Sequence, residues 1–219
     1  MQQCDMLINM ERKHIITLSG KPGAGKSSTA DKVAELLGYT RHSSGEMVRK
    51  ILAKSKMTLE EYNHKAKTDH DLDAKVDEAL RDLREKEDIV VDSRLGFYWI
   101  PESFKVYLDL ELDLATARIF KDTVSNSLRQ SSGTSSTSLD EVSRQVKERM
   151  LTEQSRFRKM YGVDPYDPNH FDLVIDTSRQ NPQSVAIAVF DAYKEWLDTE
   201  IWEPKRNEVP LGYSFKNQY

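Results

Sequence analysis

Cysteine occurs once in 219 residues, as Cys4, so no internal disulfide framework can hold the fold, and the composition fits a reducing compartment. No apolar run approaches the roughly 20 residues that a membrane-spanning helix needs. The opening stretch MQQCDMLINMERKH also lacks the apolar core of a secretory signal, so a cytoplasmic chain without membrane contact is expected. Neither sign of charge dominates: 32 Lys and Arg face 36 Asp and Glu, a net charge of −4. Without a global positive field there is nothing to attract nucleic acid, and any anion site must be local. The histidines (His14, His42, His64, His70 and His170) are scattered, which argues against structural zinc. Internal repeats and an Asn-Lys-x-Asp run for reading guanine are both missing. The length fits one domain with a sizeable core, expected as a monomer.

Glycine is scarce too, nine in all, yet three of them, Gly20, Gly23 and Gly25, fall within six residues. Gly20, four residues, Gly25, Lys26 and Ser27 fit G-x-x-x-x-G-K-[ST], a loop whose amides wrap phosphate oxygens. Within Gly20, Lys21, Pro22, Gly23, Ala24, Gly25, Lys26, Ser27 and Ser28, the glycines let the backbone approach the phosphates. Lys26 neutralises β- and γ-oxygens, and Ser27 offers its hydroxyl to Mg²⁺ at the helix's positive end; Ser28 and Thr29 open the helix. The context supports this reading over a glycine-rich turn. A β-branched run, His14 to Ser19, leads in, and an amphipathic helix from Lys26 to Leu37 leads out, with Ala30, Val33, Ala34 and Leu37 on one face and Gly38 as its stop.

Further apolar runs at 88–93, 104–110 and 171–178 alternate with helix-compatible sequence, as in a parallel sheet covered on both faces. Residues 44–87 are charged and helical with few large apolar side chains, and are expected as a small flap rather than core. The serine-rich stretch 127–138 reads as a mobile loop, and the tail WEPKRNEVPLGYSFKNQY as an extended surface segment. Ser44 can cap the helix after it, and Arg49 carries a guanidinium fork that suits two phosphate oxygens or simply solvent. Asp92 closes the strand DIVVD, where it can hold magnesium or cap a helix, and Arg94 follows two residues on. On a helix from Leu139 to Tyr161, one face reads Val142, Val146, Arg149, Glu153, Arg156 and Met160, so an apolar stripe turns charged midway. That charge is either a ligand site or an internal ion-pair ladder.

From Ile15 to about Trp196 the chain resembles the archaeal-type cytidylate kinases, through GKPGAGKSS, HSSGEMVRKILAKSKMTLEEY, VVDSRLGFYW, RMLTEQSRFRKMYGVD and FDLVIDTSR in that order. The resemblance implies a P-loop nucleotide kinase fold: a five-stranded parallel sheet flanked by helices, with core at about 14–197, an acceptor-binding flap at about 44–87, a lid at about 118–140 and an extension at 198–219. It implies ATP as donor, Mg²⁺ as cofactor, and CMP or dCMP as acceptor. Ser44, Arg49 and Arg94 would then meet the acceptor phosphate, Arg149 and Arg156 the acceptor, and Glu153 the cytosine site, while Ser27 and Asp92 hold the metal. Lys26 and Arg118, at the base of the lid, would stabilise the transferring group. A second lid arginine is replaced by Asp122, with Arg129 as a substitute. A kinase for another small acceptor, such as dephospho-coenzyme A, or a nucleotide-binding regulatory module are the rival readings.

Overall fold

The structure is a computed structural model that describes residues 12–54, 71–125 and 138–208. Six parallel strands lie in the order β2-β3-β1-β4-β5-β6: β1 (Ile15–Gly20), β2 (Thr40–Ser43), β3 (Ile89–Asp92), β4 (Phe104–Asp109), β5 (Leu173–Asp176) and β6 (Lys205–Glu208). The helices are α1 (Lys26–Leu37), α2 (Ser44–Lys54), α3 (Asp71–Leu83), the single turn α4 (Gly96–Trp99), α5 (Leu112–Ser125), α6 (Leu139–Tyr161) and α7 (Pro182–Asp198).

Alternation along the strands sorts the core into two faces. Ile16, Leu18, Val90 and Val106 point to one side, where Ala30 and Val33 of α1 and Val185, Val189 and Tyr193 of α7 cover them. Ile15, Ile89 and Val91 point to the other, against Leu80 and Leu83 of α3 and Ile100. Residues 44–87 are therefore not all flap, since Leu80 and Leu83 are core. Two apolar side chains one turn apart suffice to dock α3, a signal diluted in that segment by its charge.

The sheet has six strands rather than five. β2 and β6 form its two edges, and their sequences, Thr-Arg-His-Ser and Lys-Arg-Asn-Glu, carry no apolar alternation because an edge strand needs none. β6 lies within the presumed surface tail, where it pairs in parallel with β5 through Leu173↔Lys205. Most of the serine-rich stretch, and Arg129 with it, lies outside the described residues. The helix after the glycine loop runs over Lys26–Leu37 and stops at Gly38, whose φ of 70° is left-handed. Among the described residues no helix is long and apolar enough to cross a membrane.

Candidate active site

β1 delivers the glycine loop at the carboxyl edge of the sheet, beside the end of β3, where the strand order switches direction. Gly20 is required sterically: a Cβ there would sit 2.2 Å from the carbonyl oxygen of Leu108 on β4. Gly25 enters α1 at φ 81°, leaving the first amides of the helix facing the loop. Lys21 is pinned sideways, its Nζ 2.6 Å from Asp109 Oδ1 at the end of β4. Lys26 Nζ donates to the carbonyls of Gly20 at 3.0 Å and Lys21 at 2.9 Å, so it spans the loop it rises from. Its pKa lies well below the ordinary lysine value. Loss of hydration is the main cause and Arg94 and Arg149 push the same way, against Asp92 and Glu153. Such a lysine waits for anionic partners.

Ser27 Oγ donates to Asp92 Oδ2 at 2.8 Å, so the first residues of α1 and the last residue of β3 present a hydroxyl and a carboxylate to each other. Hard oxygen donors of this kind suit Mg²⁺. Arg41 Nη2 donates to the same carboxylate oxygen at 3.2 Å and also meets Glu46 and Asp31, which ties β2, α1 and α2 together at that corner.

The charged face of α6 closes over the cleft. Glu153 Oε1 accepts from Arg149 Nε at 2.9 Å, and Oε2 accepts from Arg94 Nε at 2.9 Å and from Tyr166 Oη at 2.5 Å. Burial opposes the charge of Glu153, but Arg94 and Arg149, with hydrogen bonds from Tyr166 and Arg149, outweigh it and hold the carboxyl below the usual range. Both arginines are held on Glu153 through Nε. The i,i+4 ion pair is therefore present, and Arg94 joins it from beyond the end of β3. One turn on, Arg156 Nη1 lies 3.6 Å from Asp73 Oδ1 of α3.

The other expected residues are placed as follows. Ser43, not Ser44, caps α2, its Oγ accepting from Glu46 N at 3.4 Å, while Ser44 Oγ donates to the Asp92 carbonyl at 3.4 Å. Arg49 is exposed and folds back over Gly45, where a Cβ would stand 3.5 Å from Nη1. Arg118 Nη2 donates to the carbonyls of Thr177 at 2.6 Å and Ser178 at 3.2 Å, at the end of β5.

The sequence pattern of the cytidylate kinase-like family matches residues 15–179. The chain is 33% identical over 182 residues to a cytidylate kinase from Methanocella arvoryzae, covering 83% of this chain and 97% of that one. It is 30% identical over 196 residues to a cytidylate kinase from Thermoplasma volcanium, covering 87% and 96%. The chain belongs to the cytidylate kinase-like family. A shikimate kinase from Bacteroides thetaiotaomicron shares the fold at a TM-score of 0.55 and 13% identity, over 84% of this chain and 98% of that one.

As a P-loop nucleoside monophosphate kinase of this family, the chain brings Lys26, Ser27, Asp92, Arg94, Arg149 and Glu153 into one cleft. It leaves Arg118 on the carbonyls of Thr177 and Ser178 just after β5, and Arg49 exposed midway along α2. Three residues with evident positions in this kinase escaped the sequence reading. Arg41 sits on an edge strand that has no apolar signature. Asp109 ends β4 beside Lys21, where its spacing from Asp92 gives no clue that the two strand ends flank the loop. Tyr166 lies in the turn GVDPYDP, where the prolines read as loop punctuation.

Proposed function

We propose that this kinase transfers the γ-phosphoryl group of ATP to the 5′-phosphate of CMP or dCMP. The observation that carries the proposal is the pair of guanidinium groups, Arg94 and Arg149, held by one carboxylate and facing the lysine of the glycine loop. Two guanidinium forks, each held through Nε, suit the oxygens of a phosphate monoester. Lys26 would exchange the Gly20 and Lys21 carbonyls for donor phosphate oxygens. Ser27 and Asp92 would hold Mg²⁺, which when bound neutralises charge on the donor phosphates.

The acceptor oxygen is already anionic at neutral pH, so the reaction needs no dedicated protein base. Its demands are alignment of the two phosphates, charge for the equatorial oxygens and exclusion of water. Ser44, the first residue of α2, and Arg49, midway along it, are assigned to the acceptor phosphate. Arg156, paired with Asp73 between α6 and α3, is assigned to the acceptor nucleoside. Glu153 orients Arg94 and Arg149 and, as the family resemblance implies, is assigned to the cytosine site.

An acceptor screen with Mg-ATP tests this reading. ADP formation with CMP or dCMP, and at least tenfold lower kcat/KM with UMP, AMP, GMP and dephospho-coenzyme A, is the expected result. Preference for any of the last four would overturn it.

A further inference from the structure

We propose that Tyr166 is a positioning residue for the acceptor-phosphate arginines, acting through Glu153; this rests on the assignment of Arg94 and Arg149 to the acceptor. The turn after α6 is built to deliver the Tyr166 hydroxyl. Asp164 Oδ1 accepts from Tyr166 N at 2.9 Å, and Asp164 Oδ2 accepts from Gln154 Nε2 at 2.6 Å and Arg158 Nη2 at 2.7 Å. The turn is thereby fastened to the helix that carries Glu153. The Tyr166 ring packs on the aromatic cluster of Leu95, Phe97, Tyr107, Phe157 and Phe171, so the phenol cannot drift from its carboxylate. Burial, ahead of the neighbouring charges, raises its pKa, which keeps it a neutral donor.

The consequence is geometric. A carboxylate between two arginines could accept from either by several nitrogens and in either rotamer. With Tyr166 Oη on Oε2, the remaining direction at that oxygen is taken by Arg94 Nε, and Oε1 is left to Arg149 Nε. Each guanidinium is then seated on Glu153 through Nε, and its Nη pair is not spent on that carboxylate oxygen. Without the hydroxyl, Arg94 can turn an Nη onto Glu153, and one fork is lost to the substrate.

Steady-state kinetics on wild type, Tyr166→Phe, Glu153→Gln and the double variant tests this. Tyr166→Phe keeps the ring and is expected to raise the KM for CMP about tenfold, the worth of one hydrogen bond to a charged group, with the KM for ATP unchanged. In the Glu153→Gln background it should add nothing, because the residue acts through Glu153. Asp164→Ala, which loosens the turn but keeps the phenol, should shift the same KM in the same direction. Equal rises in both KM values, or multiplicative effects in the double variant, would overturn the proposal. If wild type turns over no nucleoside monophosphate, the functional reading has failed on its own. Tyr166 is then tested by binding of inorganic phosphate to Lys26→Ala protein, where weaker binding on adding Tyr166→Phe supports the proposal and equal binding overturns it.

Discussion

Lys26 is where local chemistry decides the most. Its ammonium, depressed in pKa by desolvation and by Arg94 and Arg149, donates to two loop carbonyls. Phosphate oxygens favour the charged form, so the pKa with ATP bound lies above the pKa without it. Between those two values ATP binding takes up a proton, and the calorimetric enthalpy should vary with the ionisation enthalpy of the buffer. Lys26→Ala should abolish that dependence and lower kcat at least 10²-fold with the fold intact by circular dichroism. A contrasting case lies close by. Tyr107 Oη is buried with no hydrogen-bond partner among the described residues, and burial, with Asp109 next, raises its pKa. Tyr107→Phe removes an unsatisfied hydroxyl and no contact, so thermal unfolding should show unchanged or higher stability, by up to about 1 kcal/mol, with both KM values as in wild type.

Among the elements, α6 shows best how a sequence pattern becomes a site. Ser138 caps its start by accepting from Glu141 N at 3.2 Å, and Gly162 at φ 73° ends it. Between these, Val142 and Val146 are buried while Arg149, Glu153 and Arg156 continue the same stripe over the cleft. That stripe was legible because helical periodicity places residues without tertiary knowledge. Its partners were not, for Tyr166, Arg94 and Asp73 reach it from a turn, a strand end and another helix. α5 carries the second test. Arg118 rests on the Thr177 and Ser178 carbonyls through Nη2, and the role that the family resemblance implies for it at the transferring phosphoryl group would require it to leave them. Arg118→Ala is expected to depress kcat about 10³-fold with little change in either KM, a contact made mainly in the transition state. A rise in the KM for ATP alone would make the arginine a brace for the turn after β5 instead.

Across the whole molecule, the parallel sheet gathers the chemistry at one edge. β1 ends in the glycine loop, β3 in Asp92, β4 in Asp109 and β5 before Thr177, so loops remote in sequence converge at the carboxyl ends of neighbouring strands. The four buried strands were legible from Ile15, Val90, Val106 and Ile175 and their neighbours, because burial on both faces demands continuous apolar runs. The edges β2 and β6 were not, since their hydrogen bonds are made by backbone and their side chains meet solvent. The capping of α2 by Ser43 was missed for a related reason, as β2 runs straight into that helix and leaves no loop to mark the boundary. The proposed function requires direct transfer between two bound phosphates at these strand ends. Mixing the protein with Mg²⁺, CMP and ATP labelled in its γ-phosphate, and locating the label, tests that requirement most directly. Label in the β-phosphate of CDP, matched mole for mole by ADP, is the predicted result; label released as inorganic phosphate, or retained in bound ATP, would contradict it.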